Sequence, residues 1–247
     1  MTLRARPLKI SYAYQQVAEE IESQILDGTL KTGERLPGEV ELAELFGVTR
    51  STVREGLRQL ERDGLVFRPT PRTLEVTLPQ IDKLASRAGR AMTLMNVSFR
   101  ELWQVARQTE PLAATLAVEC GTDEEIAELD ALHQQLVQAR KNIGETIELD
   151  TKYHTMIADM GKNRVLSLAR EPIALLLYNG FHQVAPRVPQ CFDRQIEAHS
   201  RVVEAIKARD AETARDWALR HIEDFWRGVN LAGLADQTPM INASKVF

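Results

Sequence analysis

The first third of the chain places apolar residues at helical spacing in three segments, and then at strand spacing in two. This pattern predicts helices over about 12–27, 38–46 and 50–63 and strands over 65–67 and 74–78. The positions expected to face the core are Val17, Ile21, Ile25 and Leu26, then Val40, Leu42, Leu45 and Phe46, then Val53, Leu57 and Leu60. Gly47 offers the positive backbone angle that a sharp turn between the second and third helices needs. Three helices and a hairpin form a winged helix-turn-helix.

The third predicted helix carries an arginine every four residues along one face. Arg50, Arg54 and Arg58 lie on this face, with Ser51 and Thr52 at the helix start. Guanidinium groups suit both phosphate oxygens and guanine edges, so this form is typical of a helix that reads a DNA groove. The alternative is a solvated arginine face on an ordinary amphipathic helix.

After Pro79, which marks a domain boundary, the pattern is almost entirely helical. Predicted helices cover about 80–95, 98–119, 122–141, 145–160, 163–182, 192–209 and 211–231. Ser98 with Glu101 and Thr122 with Glu125 form capping boxes, and Asp210 is a predicted N-cap. The predicted fold is mainly α, a winged helix-turn-helix joined to an antiparallel helical bundle. We expect a DNA-binding domain over 1–78, a linker helix over 79–95, a helical ligand- and metal-binding domain over 96–234 and a flexible tail over 235–247.

Charge changes this picture only locally. The 247 residues suit two domains, and the net charge of -4 would argue against nucleic acid if it were evenly spread. From Arg50 to Arg72, however, the chain has six arginines and only three acidic residues, so the local net charge is positive. The two cysteines indicate neither a disulfide framework nor a zinc finger. The N-terminus is too polar for a signal peptide and no apolar run suits a membrane span, so we expect a cytoplasmic protein.

Three histidines and one aspartate are spaced so that they can converge in the helical domain. Asp150 and His154 are four residues apart, on one helical face. His199 and His221 each lie eleven residues from Asp210, so two antiparallel helices hinged there bring them to the same height. Three imidazoles and a carboxylate form a ligand set for zinc, nickel, manganese or iron, with zinc as our first choice. Each histidine taken alone is more often a satisfied core or surface residue than a ligand, and only the joint geometry of the four residues favours a metal site.

The N-terminal pattern closely resembles the GntR family of bacterial transcription regulators. The matching residues run from Gly33 to Ala43 and from Gly47 to Leu65. The resemblance implies DNA contacts by Thr49, Arg50, Ser51, Thr52 and Arg54, with Arg50 as the base reader, and we add Arg35, Arg58 and Arg72. Arg68 is a further candidate for a phosphate or the minor groove. Val40 stands where many relatives carry an arginine, and the wing at 69–73 lacks the glycines common there.

The C-terminal pattern resembles the FCD domain, the effector-binding module of the FadR branch of that family. The matching strings are LDTKYH at 149–154, Asn163, EAH at 197–199, DAETAR at 210–215 and His221. The resemblance places Asp150, His154, His199 and His221 on the metal-ligand positions of the metal-containing members. It also implies a small carboxylate effector beside the metal, for which Trp103, Arg107, Asn163 and Tyr178 are candidate contacts. Many relatives carry an arginine where this chain has Ala106, and Arg107 either substitutes for it or is solvated.

These features together predict a DNA-binding transcription regulator and not an enzyme. We expect a homodimeric repressor that binds a palindromic operator and whose DNA affinity is controlled by a carboxylate bound at the metal. Two alternatives stay open at this point. In the first alternative, the protein is a metal sensor and the metal itself is the signal. In the second, the helical domain is an enzyme in which the metal activates water.

Overall fold

The computed structural model describes residues 12–71, 73–140 and 142–240. The candidate DNA contact Arg72 therefore lies outside the described residues. The chain divides into two compact units, Met1–Gln80 and Ile81–Phe247. The fold is mainly α with one small antiparallel sheet, which confirms the predicted fold class. Among the described residues, no helix is both long and apolar enough to cross a membrane.

The first unit is a three-helix assembly with a hairpin. Its elements are α1 (Ala13–Leu26), α2 (Glu39–Phe46), α3 (Arg50–Asp63), β1 (Val66–Thr70) and β2 (Thr73–Val76). Helix α3 packs on α1 and α2, and its predicted inner residues Val53, Leu57 and Leu60 are buried. Gly47 ends α2 with a φ of 64°, as the predicted turn requires.

Three residues predicted to face this core are instead exposed. Leu26 is 75% exposed, Val40 50% and Leu45 70%. Helix α2 has only eight residues and presents Leu42 and Ala43 to the core, so residues on its far side meet solvent. Leu26 is the last residue of α1, beyond the part that packs on α3.

The hairpin also differs from its prediction. Strand β1 begins at Val66 and continues through Pro69 to Thr70, whereas the predicted strand covered 65–67. Val66 pairs with Val76 and Thr70 with Thr73, and the register shifts between these pairs. A proline is tolerated here because a strand of a two-stranded sheet has one edge without ladder partners, and an irregularity absorbs the missing donor.

The second unit is a bundle of helices. Its elements are α4 (Ile81–Leu94), α5 (Phe99–Cys120), α6 (Asp123–Ala139), α7 (Ile143–Met160), α8 (Arg164–Asn179), α9 (Phe181–Val184), α10 (Cys191–Lys207) and α11 (Ala211–Leu231). The capping boxes at Ser98 and Thr122 and the N-cap at Asp210 are confirmed. The predicted helix over 163–182 is divided at Gly180, where the Phe99 ring packs so closely that a Cβ would lie 2.6 Å from it.

Helix α5 lies at the centre of this bundle and positions the candidate site. It packs against α7, α8, α10 and α11, while α10 also packs on α6 and α11. Helix α4, which follows the first unit in the chain, packs against α8 and buries Ala85 and Gly89. Small residues permit such close helix approach.

The segment after α11 is not the loose tail that the sequence predicts, at least as far as residue 240. The backbone N–H groups of Phe99 and Arg100 donate to the carbonyl oxygens of Gln237 and Ala235. Asp236 pairs with Arg100 at 2.8 Å. The N–H groups in the first turn of α5 have no acceptors within the helix, and carbonyl oxygens of this segment act as their acceptors. The rest of the predicted tail, 241–247, lies outside the described residues.

Gly56 yields a first testable prediction, because a Cβ there would lie 2.7 Å from the backbone oxygen of Tyr14 in α1. Gly56→Ala should lower the free energy of unfolding by about 1 kcal/mol or more, since overpacking against backbone outweighs the better helix propensity of alanine. Urea unfolding followed by circular dichroism measures this. The matched control is Gly144→Ala, because its nearest neighbour would be 3.7 Å away; equal stability of both variants would contradict the prediction.

Candidate metal centre and DNA-binding surface

Three helices bring the four predicted metal ligands to one place. Asp150 and His154 lie one turn apart on α7, His199 lies on α10 and His221 on α11. All four side chains are buried. The α10–α11 connection at Asp210 brings the Nε2 atoms of His199 and His221 to 3.3 Å from each other, as equal spacing from that turn predicts.

The distances between donor atoms suit a single metal ion. One nitrogen from each of the three histidines lies within 4.8 Å of the others. Oδ1 of Asp150 lies 3.6 Å from Nε2 of His199 and 3.8 Å from Nε2 of His154. Nitrogen ligands around a tetrahedral zinc ion, with bonds of about 2.0–2.1 Å, are about 3.3 Å apart. The three imidazoles therefore need only small adjustments to share one ion, and the Asp150 carboxylate lies close to two of them.

Surrounding groups hold the rings and the carboxylate in place. Nδ1 of His154 lies 3.1 Å from Oε2 of Glu110, and the Gln195 amide donates to Asp150 at 2.6 Å. Tyr178 stacks on the His154 ring with centroids 4.3 Å apart. Tyr153 stacks on His199 and donates its hydroxyl hydrogen to the backbone oxygen of His199. Such contacts orient ligating side chains and determine which ring nitrogen is available.

The pKa shifts of these residues favour the protonation states that bind cations. Burial lowers the pKa of His221 to about 3. Burial, together with His221 and His154, lowers the pKa of His199 well below its usual value, so both rings are neutral at pH 7. Burial raises the pKa of Asp150 to about 6, and its carboxylate still prevails at pH 7. Neutral imidazole and carboxylate are the forms that coordinate metals.

Two ring nitrogens in the cluster have no hydrogen-bond partner among the described residues, Nε2 of His154 and Nδ1 of His199. Of the two, Nε2 of His154 lies 3.8 Å from Oδ1 of Asp150. A buried polar atom without a partner costs about 1–3 kcal/mol. Metal coordination would remove that cost, so the chemistry of this donor set fits a divalent ion.

Two small cavities lie beside the imidazoles. The first, of about 10 Å³, contacts all three histidines and Glu110 and is otherwise walled mainly by apolar side chains. The second, of about 20 Å³, contacts His221 and is lined by Phe181, Cys191, Gln195, Asp224 and Phe225. The open centre of each admits little more than a water molecule.

Of the candidate effector contacts, the structure brings only Tyr178 to the histidine cluster. Trp103 stacks on Trp226, and Arg107 lies over the Trp103 ring and pairs with Glu223. Asn163 caps α8 by accepting a hydrogen bond from Leu166 N. These three residues have other structural contacts. None of the four candidates lines either cavity, and Tyr178 reaches the cluster through its stacking on the His154 ring.

The sequence analysis missed a buried arginine, Arg170 on α8. Its Nε donates to Oε1 of Glu110 at 2.9 Å. Burial opposes ionisation of Glu110, but Arg170 and His154 outweigh it and hold the pKa of Glu110 well below its usual range. A signal existed in the sequence, because Arg170 falls on the apolar stripe of α8 between Leu166 and Ala174.

The predicted DNA contacts that the structure describes lie at the surface of the first unit, most of them on α3 or its N-cap. Thr49 caps α3 by accepting from Thr52 N, and its hydroxyl lies 2.8 Å from that of Ser51. Arg50 is exposed and forms no ion pair with a described residue. The other predicted arginines are exposed but paired, Arg54 with Glu39, Arg58 with Glu55 and Arg35 with Glu75. Arg68 is more buried and bridges Glu39 and Glu61.

Comparison with known families accounts for both units. Residues 13–76 match the model of bacterial regulatory proteins of the gntR family, and residues 101–224, half of the chain, match the FCD domain. The chain belongs to the GntR family. Within that family, a GntR domain followed by an FCD domain is the FadR-like architecture, which confirms the resemblance found in the sequence.

Similar proteins span almost the whole chain. An uncharacterized HTH-type transcriptional regulator of Bacillus subtilis, YdhC, is 30% identical over 84% of this chain and 87% of its own length. The repressor NanR of Salmonella arizonae is 30% identical over 89% and 84%, and the Glc operon transcriptional activator of Escherichia coli is 27% identical over 83% and 84%. A solved Streptococcus agalactiae GntR structure shares the fold, with a TM-score of 0.60 at 23% identity, over 87% of this chain and 99% of that one.

This GntR-family chain is therefore a DNA-binding transcription regulator. The relatives are named as regulators. They include both a repressor and an activator, so family membership alone does not determine the direction of regulation.

Proposed function

We propose that this regulator is a homodimeric repressor whose affinity for a palindromic operator is controlled by a small carboxylate bound at a divalent metal ion in the helical unit. The observation that supports the proposal most is the convergence of three buried histidines and Asp150 beside two cavities. Dimerisation would place two copies of α3 on the two half-sites of the operator. In each chain, the DNA contacts would be Thr49, Arg50, Ser51, Thr52 and Arg54. Arg35 and Arg58 would contact phosphates.

The metal would be held by Asp150, His154, His199 and His221. A bound divalent ion would supply a Lewis acid to which a carboxylate oxygen of the effector can bind. Zinc is our first choice because three imidazoles and one carboxylate are typical zinc ligands, and nickel, manganese and iron accept the same donors. Tyr178 is the effector contact that we propose from the cluster, because it stacks on His154.

The size of the cavities suggests how effector binding changes the protein. Each cavity admits little more than a water molecule, and even a small organic acid is larger. The helices that line the cavities must therefore move apart when an acid enters. A ligand shifts a conformational equilibrium by its difference in affinity for the two states, so an acid that binds only the expanded form favours that form.

Helix α4 is the element that we propose carries this change. It follows the DNA-binding unit in the chain and packs against α8, the helix that carries Tyr178. If the effector displaced Tyr178, α8 would therefore move, and α4, which packs on α8, would move with it. A coupling of about 1–3 kcal/mol, or roughly 5- to 150-fold in DNA affinity, suffices for a switch.

Metal binding is tested with His221→Ala, and His182→Ala, an exposed histidine outside the cluster, is the control. We expect the metal-free wild type and the control to bind one zinc ion per chain and to unfold at a higher temperature when loaded. His221→Ala should bind zinc more than about 100-fold more weakly, since loss of a ligand costs more than loss of a supporting hydrogen bond. Calorimetric titration measures both, and unchanged affinity in His221→Ala would exclude this ligand set.

The DNA contact is tested with Arg50→Ala in a titration of DNA from upstream of the chain's own gene. Loss of a base-reading arginine should weaken binding by about 1–3 kcal/mol, roughly 5- to 150-fold. Arg62→Ala is the matched control, because Arg62 is exposed and lies about 18 Å further along the same helix. Equal losses in both variants would indicate a general charge effect and would contradict a specific role for Arg50.

Gating is tested by titrating small carboxylates, namely hydroxy acids, sugar acids and dicarboxylates, into the protein–DNA complex with and without zinc. We expect one acid to change DNA affinity by about 5- to 150-fold, and only in the metal-loaded protein. If zinc alone changes affinity and no acid does, the metal is itself the signal. If neither changes affinity, the gating proposal is wrong.

A further inference from the structure

Arg170 is the only buried arginine among the described residues, with 1% of its surface exposed. Arginine is almost never fully buried unless its charge is paired. It lies in the middle of α8, where the helix faces α5 and α7. A buried guanidinium at this position requires an explanation that core packing alone does not supply.

The hydrogen bonds of Arg170 lead directly to a proposed metal ligand. Its Nε donates to Oε1 of Glu110 at 2.9 Å. The other oxygen of the same carboxylate, Oε2, lies 3.1 Å from Nδ1 of His154. The opposite ring nitrogen of His154, Nε2, lies 3.8 Å from Oδ1 of Asp150. A continuous chain of buried polar contacts thus joins α8 to the centre of the cluster.

We propose that Arg170 is a positioning residue for the metal centre, which holds Glu110 so that this carboxylate accepts the Nδ1 hydrogen of His154 and leaves Nε2 for the metal. This inference rests on the proposed metal site. Arg170 does not touch the metal position itself and acts through Glu110. The proton on Nδ1 excludes the tautomer in which Nε2 is protonated and unable to bind a cation.

The geometry of the Arg170–Glu110 pair distinguishes positioning from simple charge pairing. Arginine and carboxylate commonly form two parallel hydrogen bonds. Here Glu110 gives Arg170 only one oxygen, and Nη2 of Arg170 has no hydrogen-bond partner among the described residues. The oxygen that could complete the second bond contacts His154 instead. Glu110 is therefore shared between the guanidinium and the imidazole.

His154 and His199 differ in whether another side chain contacts the Nδ1 atom of the ring. The carboxylate of Glu110 contacts Nδ1 of His154, whereas Nδ1 of His199 is buried and has no partner among the described residues. Carboxylate–histidine–metal arrangements of this kind orient the ring and increase its basicity. His154 is thus the ligand whose orientation depends on α8.

A competing effect has the opposite sign and makes the test decisive. A positive charge near a cation site repels the cation, so removal of Arg170 would strengthen metal binding if charge alone mattered. If positioning prevails, removal releases Glu110 from its orientation and weakens binding. Arg170→Met, which keeps most of the side-chain volume, should then reduce zinc affinity by about 10- to 100-fold. Unchanged or tighter zinc binding would overturn the proposal.

A double-mutant cycle shows whether Arg170 acts through Glu110. Zinc affinity is measured by competition with a chromophoric chelator for Arg170→Met, Glu110→Gln and the double variant. We expect the double variant to bind zinc no more weakly than Glu110→Gln alone, because without the Glu110 carboxylate the guanidinium has nothing to hold against His154 Nδ1. Losses that multiply would mean that the two residues act independently, and would overturn the proposal.

Two control variants separate positioning from general damage. Glu171→Gln alters the other carboxylate partner of Arg170, on Nη1 at 3.4 Å, and leaves Glu110 intact. Arg164→Met removes an exposed arginine from the first turn of the same helix. Both should retain zinc affinity close to that of the wild type, and a loss equal to that of Arg170→Met in either variant would contradict the proposed route.

The wild-type protein provides a measurement that does not depend on whether Arg170→Met folds. The Nε–H proton of the only buried described arginine should exchange slowly, and its nuclear magnetic resonance signal should shift when zinc is added. A signal unchanged by zinc in a protein that binds zinc would overturn the inference about Arg170 and leave the metal site intact. Failure of the wild type to bind zinc would instead overturn the proposed function from which this inference starts.

Discussion

The burial of polar side chains inside the helical unit is the constraint on which the rest of that unit depends. Glu110, Asp150, His154, Arg170, His199 and His221 all lie in the interior. An uncompensated buried charge costs several kcal/mol, so such groups persist only where partners are supplied. Arg170 compensates Glu110, Glu110 contacts His154, and Gln195 donates to Asp150. These partners come from α5, α7, α8 and α10, which ties the arrangement of four helices to one polar cluster.

The same constraint connects stability with regulation. A cluster that holds unpartnered nitrogen atoms is less stable empty than when those atoms coordinate an ion. The helices around it enclose cavities that admit little more than a water molecule. An organic ligand therefore cannot enter without a change in helix packing. Helix α4 packs on α8, whose Tyr178 stacks on His154 of α7. In the proposed function, ligand binding would act on α4 through this contact.

The DNA-binding unit differs from the helical unit. Its functional side chains are exposed, and local contacts hold them in place. Thr49 caps α3, and Glu39 at the start of α2 pairs with Arg54 of α3 and Arg68 of β1. Arg54 and Arg68 thereby tie three elements to one carboxylate. An ion pair with a largely exposed partner, such as Arg54–Glu39, contributes little stability, so its main effect is to orient the guanidinium group. Arg50 has no such partner among the described residues and is available for a ligand.

The sequence by itself determined most helices, their caps and the two pairs of proposed metal ligands, Asp150 with His154 and His199 with His221, because these depend on spacing along the chain, whereas only the tertiary structure brought the two pairs together. Ser98, Thr122 and Asp210 cap helices through neighbours three residues away, and a four-residue interval puts Asp150 and His154 on one face. Only the tertiary structure decided which apolar residues of a short helix meet the core, as the exposure of Val40 and Leu45 shows. It also decided that 235–240 close the first turn of α5 and that Arg170 is buried beside Glu110. Those outcomes depend on contacts between residues far apart in the chain, and spacing does not encode such contacts.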